Sequence, residues 1–388
     1  MSAAPASTVT FAPEALLAEA RAAAKLADFG GDEFLPGLRA LCACYDVPAW
    51  SEKGRTRNRR RLVNLLTTRL KVEAAFAAHP EILARPVKQP VFLTGLPRSG
   101  TSALFSLLGA DPAARPLRLW ETQCPDPLPL PPGTPDPRRA AIDAYYAQGR
   151  EKRPEFTKIH FTSADTPEEC VLLHAYAMHG VQMGVEIFVE PYASWYQGEA
   201  ADLRALYAYQ KRLMQLLDWQ RPGERWLLKA PAHLWGLDAV VATFPDAAIV
   251  WNHRDPVACI ASACSMTHAL MATLAFDPKR LGPAVMEFYA RSLDRGLAVR
   301  ERLGAGRVFD VPYGEFTAAP LACAERVYAH FGLPLPPAAR DALRAFAAEN
   351  PEGKHGKHEY ELAQYGLDAG SVRARFASYL ARFGGMHE

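Results

Sequence analysis

Residues 89–112 read QPVFLTGLPRSGTSALFSLLGADP, and this stretch constrains the fold more than any other. Val91, Phe92 and Leu93 form an unbroken apolar run that suits a strand buried on both faces of a parallel sheet. Gly95 to Gly100 then breaks the chain into a tight loop. From Thr101 onward Leu104, Phe105, Leu107 and Leu108 return at helical spacing. Strand, glycine-bounded loop and helix in that order make an anion site, because the first free N–H groups of the helix and the positive end of its dipole face the loop.

The spacing of Gly95 and Gly100 copies the start of a P-loop, but Thr101 and Ser102 stand where a nucleoside-triphosphatase carries Lys and Ser or Thr. The fixed charge sits inside the loop instead, on Arg98. A guanidinium stays protonated and forks onto two oxygens, so it suits a phosphate or sulfate held without a metal. Further along, the strands Trp226–Lys229, Ala247–Trp251 and Arg307–Val311 alternate with helical patterns. The expected fold class is therefore α/β, a P-loop-like parallel sheet flanked by helices, with ligands at the carboxyl ends of its strands. The phosphate loop, Lys229 and Arg254 all fall at such ends.

The remainder of the chain fills in around that centre. Residues 1–84 read as an N-terminal helical region that packs on the core, and 85–388 as the α/β domain. The run from Lys53 to Arg61 holds five arginines; with no interleaved aromatic residue it reads as a solvated helix start rather than a nucleic-acid or membrane patch. The proline-dense stretch from Pro125 to Pro137 is expected as an ordered surface loop or lid. Thr166-Pro167-Glu168-Glu169 spells a capping box, which assigns Glu169 to a helix start. The aromatic-rich residues from there to Tyr196 are core or the wall of an apolar pocket.

A chain of 388 residues, 49% hydrophobic, can bury a large core, and its net charge of +2 gives no global attraction to nucleic acid or acidic membranes. Seven cysteines, without a Cys-x-x-Cys pair, fit a reducing compartment and argue against a zinc site. The opening residues lack a secretory pattern and no stretch reaches the length of a membrane span, so a cytoplasmic protein with no metal is expected.

LPRSGTS after a buried strand resembles the 5′-phosphosulfate loop of sulfotransferases that use 3′-phosphoadenosine 5′-phosphosulfate (PAPS). The form with Arg98 is similar to tyrosylprotein sulfotransferases and the bacterial group more than to cytosolic enzymes, which carry Lys there. The resemblance implies that Arg98, Ser99, Gly100, Thr101 and Ser102 cradle the 5′ end of the donor. Arg254 in His253-Arg254-Asp255-Pro256, with Ser262 eight positions on, matches the family's 3′-phosphate pair, and Tyr313 matches a tyrosine near the nucleotide. Lys229 in Leu228-Lys229-Ala230-Pro231 corresponds to the lysine that neutralises charge on the departing oxygen. Glu121 after Trp120 is the expected base, with His233 as its rival, and Gly353 to His358 matches a loop that closes over the 3′ end. The implied activity is transfer of a sulfuryl group from PAPS to a hydroxyl of a small-molecule or lipid-like acceptor by in-line displacement. A P-loop kinase using ATP is the alternative, and it needs a strand-end acid that the strand before His253 does not supply.

Overall fold

A computed structural model describes residues 9–131, 133–152, 162–179, 185–271, 273–350 and 361–384. The glycine- and lysine-rich loop from Gly353 to His358 lies outside these. Five strands, β1 (Val91–Gly95), β2 (Ala114–Pro116), β3 (Arg225–Lys229), β4 (Ala248–His253) and β5 (Val308–Pro312), form one sheet in the order β2-β3-β1-β4-β5. Every pairing is parallel, and β1 is central, with Phe92 opposite Leu228 on one side and Ile249 on the other.

Side chains alternate across the sheet as a two-residue period requires. Val91, Leu93, Leu227, Val250 and Val311 pack on one face with Leu104, Phe105 and Val327 of covering helices. Phe92, Leu228, Ile249 and Trp251 pack on the other. Burial on both faces explains why these strands are continuous apolar runs in the sequence. The chain leaves β1 to build one side of the sheet, through β2 and β3, and returns beside β1 with β4 to build the other. A ligand crevice forms at the carboxyl ends where such a reversal occurs.

The N-terminal region is helical, as its periodicity indicates: α1 (Pro13–Ala24), α2 (Leu35–Tyr45) and α3 (Glu52–Ala78). Their apolar residues Leu16, Leu38, Leu66 and Phe76 share one continuous cluster with the Phe92 face of the sheet. Buried Arg69 of α3 ties that region to the rest, donating to the carbonyls of Phe29 and Tyr176 at 2.8 Å each. The arginine run forms the first turns of α3, and it is only partly solvated. Arg55 is buried, donating to the Tyr45 carbonyl and pairing with Asp46 at 2.6 Å, while Arg59 pairs with Glu19.

Two local expectations are corrected. No α-helix begins at Thr166; its hydroxyl accepts from the Ser163 N–H, and Cys170–Ala177 is a 3₁₀ stretch. After β3 the chain likewise enters a 3₁₀ turn, Pro231–Leu234, before the helix Leu237–Thr243. The short edge strand β2 has no alternation or apolar run to announce it.

Candidate active site

The loop after β1 turns tightly because two glycines permit it. Gly95 has φ +149°, and a Cβ there would lie 2.5 Å from the Asn252 carbonyl oxygen. Gly100, φ +88°, starts α4 (Thr101–Leu108), and a Cβ there would press on the Tyr313 ring at 3.0 Å. Arg98 between them also takes a left-handed conformation, φ 68°, a strained state that persists where the surroundings hold it. Ser99 is fully buried and its Oγ has no hydrogen-bond partner. An orphaned hydroxyl beside free helix N–H groups fits an anionic group in the loop.

The end of β4 comes to the same place. Arg254 donates from Nη1 to the Arg98 carbonyl at 2.7 Å and lies with its guanidinium 4.0 Å from the centre of the Tyr313 ring. The structure thus brings Arg98, Arg254 and Tyr313 together at one rim, across the ends of β1, β4 and β5. Ser262 is buried about two turns into the helix Pro256–Leu270, which Asp255 caps through the Val257 N–H.

Lys229 closes the other side of the loop. It is 5% exposed, and its ammonium donates to Ser102 Oγ at 3.1 Å and to Glu169 Oε1 at 2.6 Å. Glu169 is the residue that sequence reading misassigned. Its spacing from Thr166 suggested a cap, whereas the carboxylate is spent on Lys229 and remains partly open to solvent. Nothing local in the sequence announces a pairing between positions 60 residues apart.

The two residues expected as bases sit differently. Glu121, 1% exposed, is the hub of an ion network: Arg115 holds both oxygens at 2.7 and 2.9 Å, while Arg221 and the Arg118 N–H reach Oε2 at 2.9 Å each. Both carboxylate oxygens of the residue expected as base are thus occupied by donors of the protein itself. His233 has 0% exposure, with Nδ1 2.8 Å from the Tyr207 hydroxyl and Nε2 3.0 Å from Cys170 Sγ. Burial drives its pKa well below the usual value, with His174 and Lys229 adding to the effect. Both ring nitrogens are thus engaged by protein, Nε2 with Cys170, the neighbour of Glu169.

A cavity of about 740 Å³ lies under the proline-dense stretch, lined by Trp120, Glu121, Leu128, Trp219 and Arg221 among others. Neither the phosphate loop nor Lys229 lines it. Among the described residues no helix is long and apolar enough to cross a membrane.

The sequence pattern of the Sulfotransferase family matches residues 90–337. Two crystal structures resemble the whole chain. Sulfotransferase STF1 from Mycobacterium tuberculosis H37Rv is 33% identical, covers 96% of this chain and 100% of its own, and superposes with a TM-score of 0.83. Sulfotransferase STF9 from Mycobacterium avium is 30% identical over 97% of each chain, with a TM-score of 0.85. No curated protein matches the sequence. The matched span runs from the strand before the phosphate loop past Tyr313 and so takes in the whole rim described above, and the chain belongs to the sulfotransferase family.

Proposed function

We propose that this protein moves a sulfuryl group from PAPS to a hydroxyl of a small-molecule or lipid-like acceptor, without a metal. The observation that carries this reading is Lys229, bound at once to Ser102 of the phosphate-loop helix and to Glu169. A cation for the leaving oxygen and a carboxylate for the acceptor proton are then neighbours at the mouth of one anion site.

The orphaned Ser99 hydroxyl and the glycine cradle support a 5′ anionic group held by Arg98, Ser99, Gly100, Thr101 and Ser102. Arg254, Ser262 and Tyr313 are assigned to the 3′ end of the same donor. PAPS supplies the sulfuryl group, and its transfer leaves negative charge on the oxygen that had bridged sulfur and phosphorus. Lys229 is placed to meet that charge as it grows, which favours the transition state over the ground state. We assign the base to Glu169: it takes the acceptor proton while the acceptor oxygen bonds to sulfur and the bridging bond breaks.

Titration with adenosine 3′,5′-bisphosphate and separately with ATP and Mg²⁺ tests the donor. Bisphosphate is expected to bind more tightly, and a preference for ATP would overturn the assignment in favour of a kinase. Incubation with sulfur-labelled PAPS and an extract of the source cells, followed by mass spectrometry, then names the acceptor.

A further inference from the structure

Glu169 and Lys229 reach their contact from elements that share no regular backbone pairing. Lys229 is the last residue of β3, whereas Glu169 stands just before the 3₁₀ stretch Cys170–Ala177. Behind Glu169 the chain is tied to the segment that follows β2: the Leu119, Trp120 and Glu168 N–H groups donate to the Thr166, Ala164 and Leu117 carbonyls. Those ties stop at Glu168. Ahead of them, the first link to β3 besides the ion pair itself is Cys170, whose thiol lies 3.7 Å from the Lys229 carbonyl oxygen and 3.0 Å from His233 Nε2. On the far side of that ring, Nδ1 lies 2.8 Å from the Tyr207 hydroxyl.

Tyr207, His233 and Cys170 are each 1% exposed or less, so their hydrogen bonds are made within the protein. The Tyr207 hydroxyl has no other hydrogen-bond partner among the described residues, so it donates to Nδ1; a ring donating there would leave a buried O–H unpaired. The neutral ring then carries its proton on Nε2 and donates it to Cys170 Sγ, and the thiol donates onward to the Lys229 carbonyl. The opposite tautomer breaks this chain at both ends, stranding the Tyr207 O–H and turning the thiol away from Lys229. Burial, which pushes the His233 pKa well below its usual value, agrees with a neutral ring. Packing holds the ring in place: Phe92 of the central strand makes a T-shaped contact with it at 5.0 Å, and His174 backs Tyr207 at 5.2 Å.

We propose that Tyr207, His233 and Cys170 are positioning residues for the transfer step, their directed hydrogen-bond chain setting how Glu169 stands against Lys229, an inference that rests on the roles assigned to that pair above. All three are buried, so they act through Glu169 and Lys229 and not on the acceptor. The chain starts on the helix Leu203–Gln220, passes through the 3₁₀ turn after β3 and ends between the two working groups. Cys170 follows Glu169 in the sequence, and the carbonyl it meets belongs to Lys229. Without that clamp the Glu169 backbone is held from the Glu168 side alone, and a displacement of about 1 Å at a reacting group costs about 10² in rate. The residues assigned to the two ends of the donor belong to other elements, so donor affinity is expected to be spared.

Transfer of label from sulfur-labelled PAPS to the acceptor in an extract of the source cells, followed at varied PAPS, tests this on the full chain. Cys170→Ala and Tyr207→Phe are each expected to lower the rate at saturating PAPS about tenfold or more, while the KM for PAPS and the Kd for adenosine 3′,5′-bisphosphate stay within about twofold of wild type. Cys170→Ser, which keeps a donor and an acceptor, is expected to recover part of the loss. In a Glu169→Gln background the same substitutions are expected to change the residual rate by less than about twofold, because a residue that acts through Glu169 then has nothing left to position. Nitrogen-15 NMR of labelled histidine is expected to show His233 neutral with its proton on Nε2. No transfer by wild type, or near-normal transfer by Glu169→Gln, overturns the reading of the site on which this rests. A slow Glu169→Gln enzyme beside near-normal Cys170→Ala and Tyr207→Phe enzymes overturns the positioning chain. So does an undiminished effect in the Glu169→Gln background, a loss of bisphosphate affinity equal to the loss of rate, or a His233 proton on Nδ1.

Discussion

Lys229 Nζ lies 2.6 Å from Glu169 Oε1, so the cation suited to a departing oxygen and the carboxylate suited to an incoming hydroxyl already touch. The contact neutralises a nearly buried ammonium and holds its amine end against the phosphate-loop helix. It also separates Glu169 from the carboxylates whose role is structural. Glu169→Gln is expected to lower kcat by about 10² to 10⁴, the usual worth of a general base, with bisphosphate affinity retained. Steady-state kinetics beside calorimetric titration checks both halves, and near-normal turnover would remove Glu169 from the mechanism.

Glu121→Gln is expected to act on stability instead. Its carboxylate meets Arg115, Arg221 and the Arg118 N–H almost wholly out of water, and removing one partner of a buried pair costs about 3–5 kcal/mol. Urea unfolding should show that loss as a lower midpoint. Under conditions where the variant remains folded, turnover should stay within a small factor of wild type.

Arg254→Ala is expected to raise the Kd for adenosine 3′,5′-bisphosphate by about 10- to 100-fold, since hydrogen bonds to charged groups contribute about 1.5–3 kcal/mol. Arg254→Lys should recover only part of this, because an ammonium lacks the planar fork and stacks less well on Tyr313. Isothermal titration reads both. Equal affinity in wild type and Arg254→Ala would detach this residue from the nucleotide.

The sheet and the phosphate loop were legible because local rules dictate them. Buried parallel strands are continuous apolar runs, and a loop that turns onto a helix N-terminus needs glycine where φ is positive, as at Gly95 and Gly100. Lys229 and Arg254 were legible for the same reason, as strand-end cations before a proline. The partner of Lys229 was not. Glu169 matched a local capping pattern, and that pattern lost to an ion pair formed across the fold, which spacing cannot encode. Glu121 and His233 were singled out by their places in familiar motifs, but burial, which no motif records, gave one to an arginine network and the other to Tyr207 and Cys170. The burial of Arg55 was hidden in the same way, since a charge run reads as solvated until one of its members is seen to turn inward.

Stability is expected to fall as pH drops below about 6.5, ahead of ordinary acid denaturation. His174, His179, His233 and His253 are all buried, and burial is the leading cause that lowers each pKa, to about 4 for His174. Unfolding returns each to its usual value near 6.5, so between the two values the unfolded chain binds more protons than the folded one. The stability these neutral rings contribute is therefore full above about 6.5 and is lost progressively as pH falls through that window, by up to about 1.4 kcal/mol per pH unit for each. The depressed carboxylates, Asp136, Asp165 and Asp310, lose their contribution only at lower pH, beginning near the usual aspartate range and continuing through their lowered folded values. Urea midpoints measured from about pH 8 to pH 4.5 should thus be flat at first and then decline, and His174→Gln should make the decline shallower. A flat profile down to pH 5 would show that these rings stay as easily protonated in the folded chain as in the unfolded one.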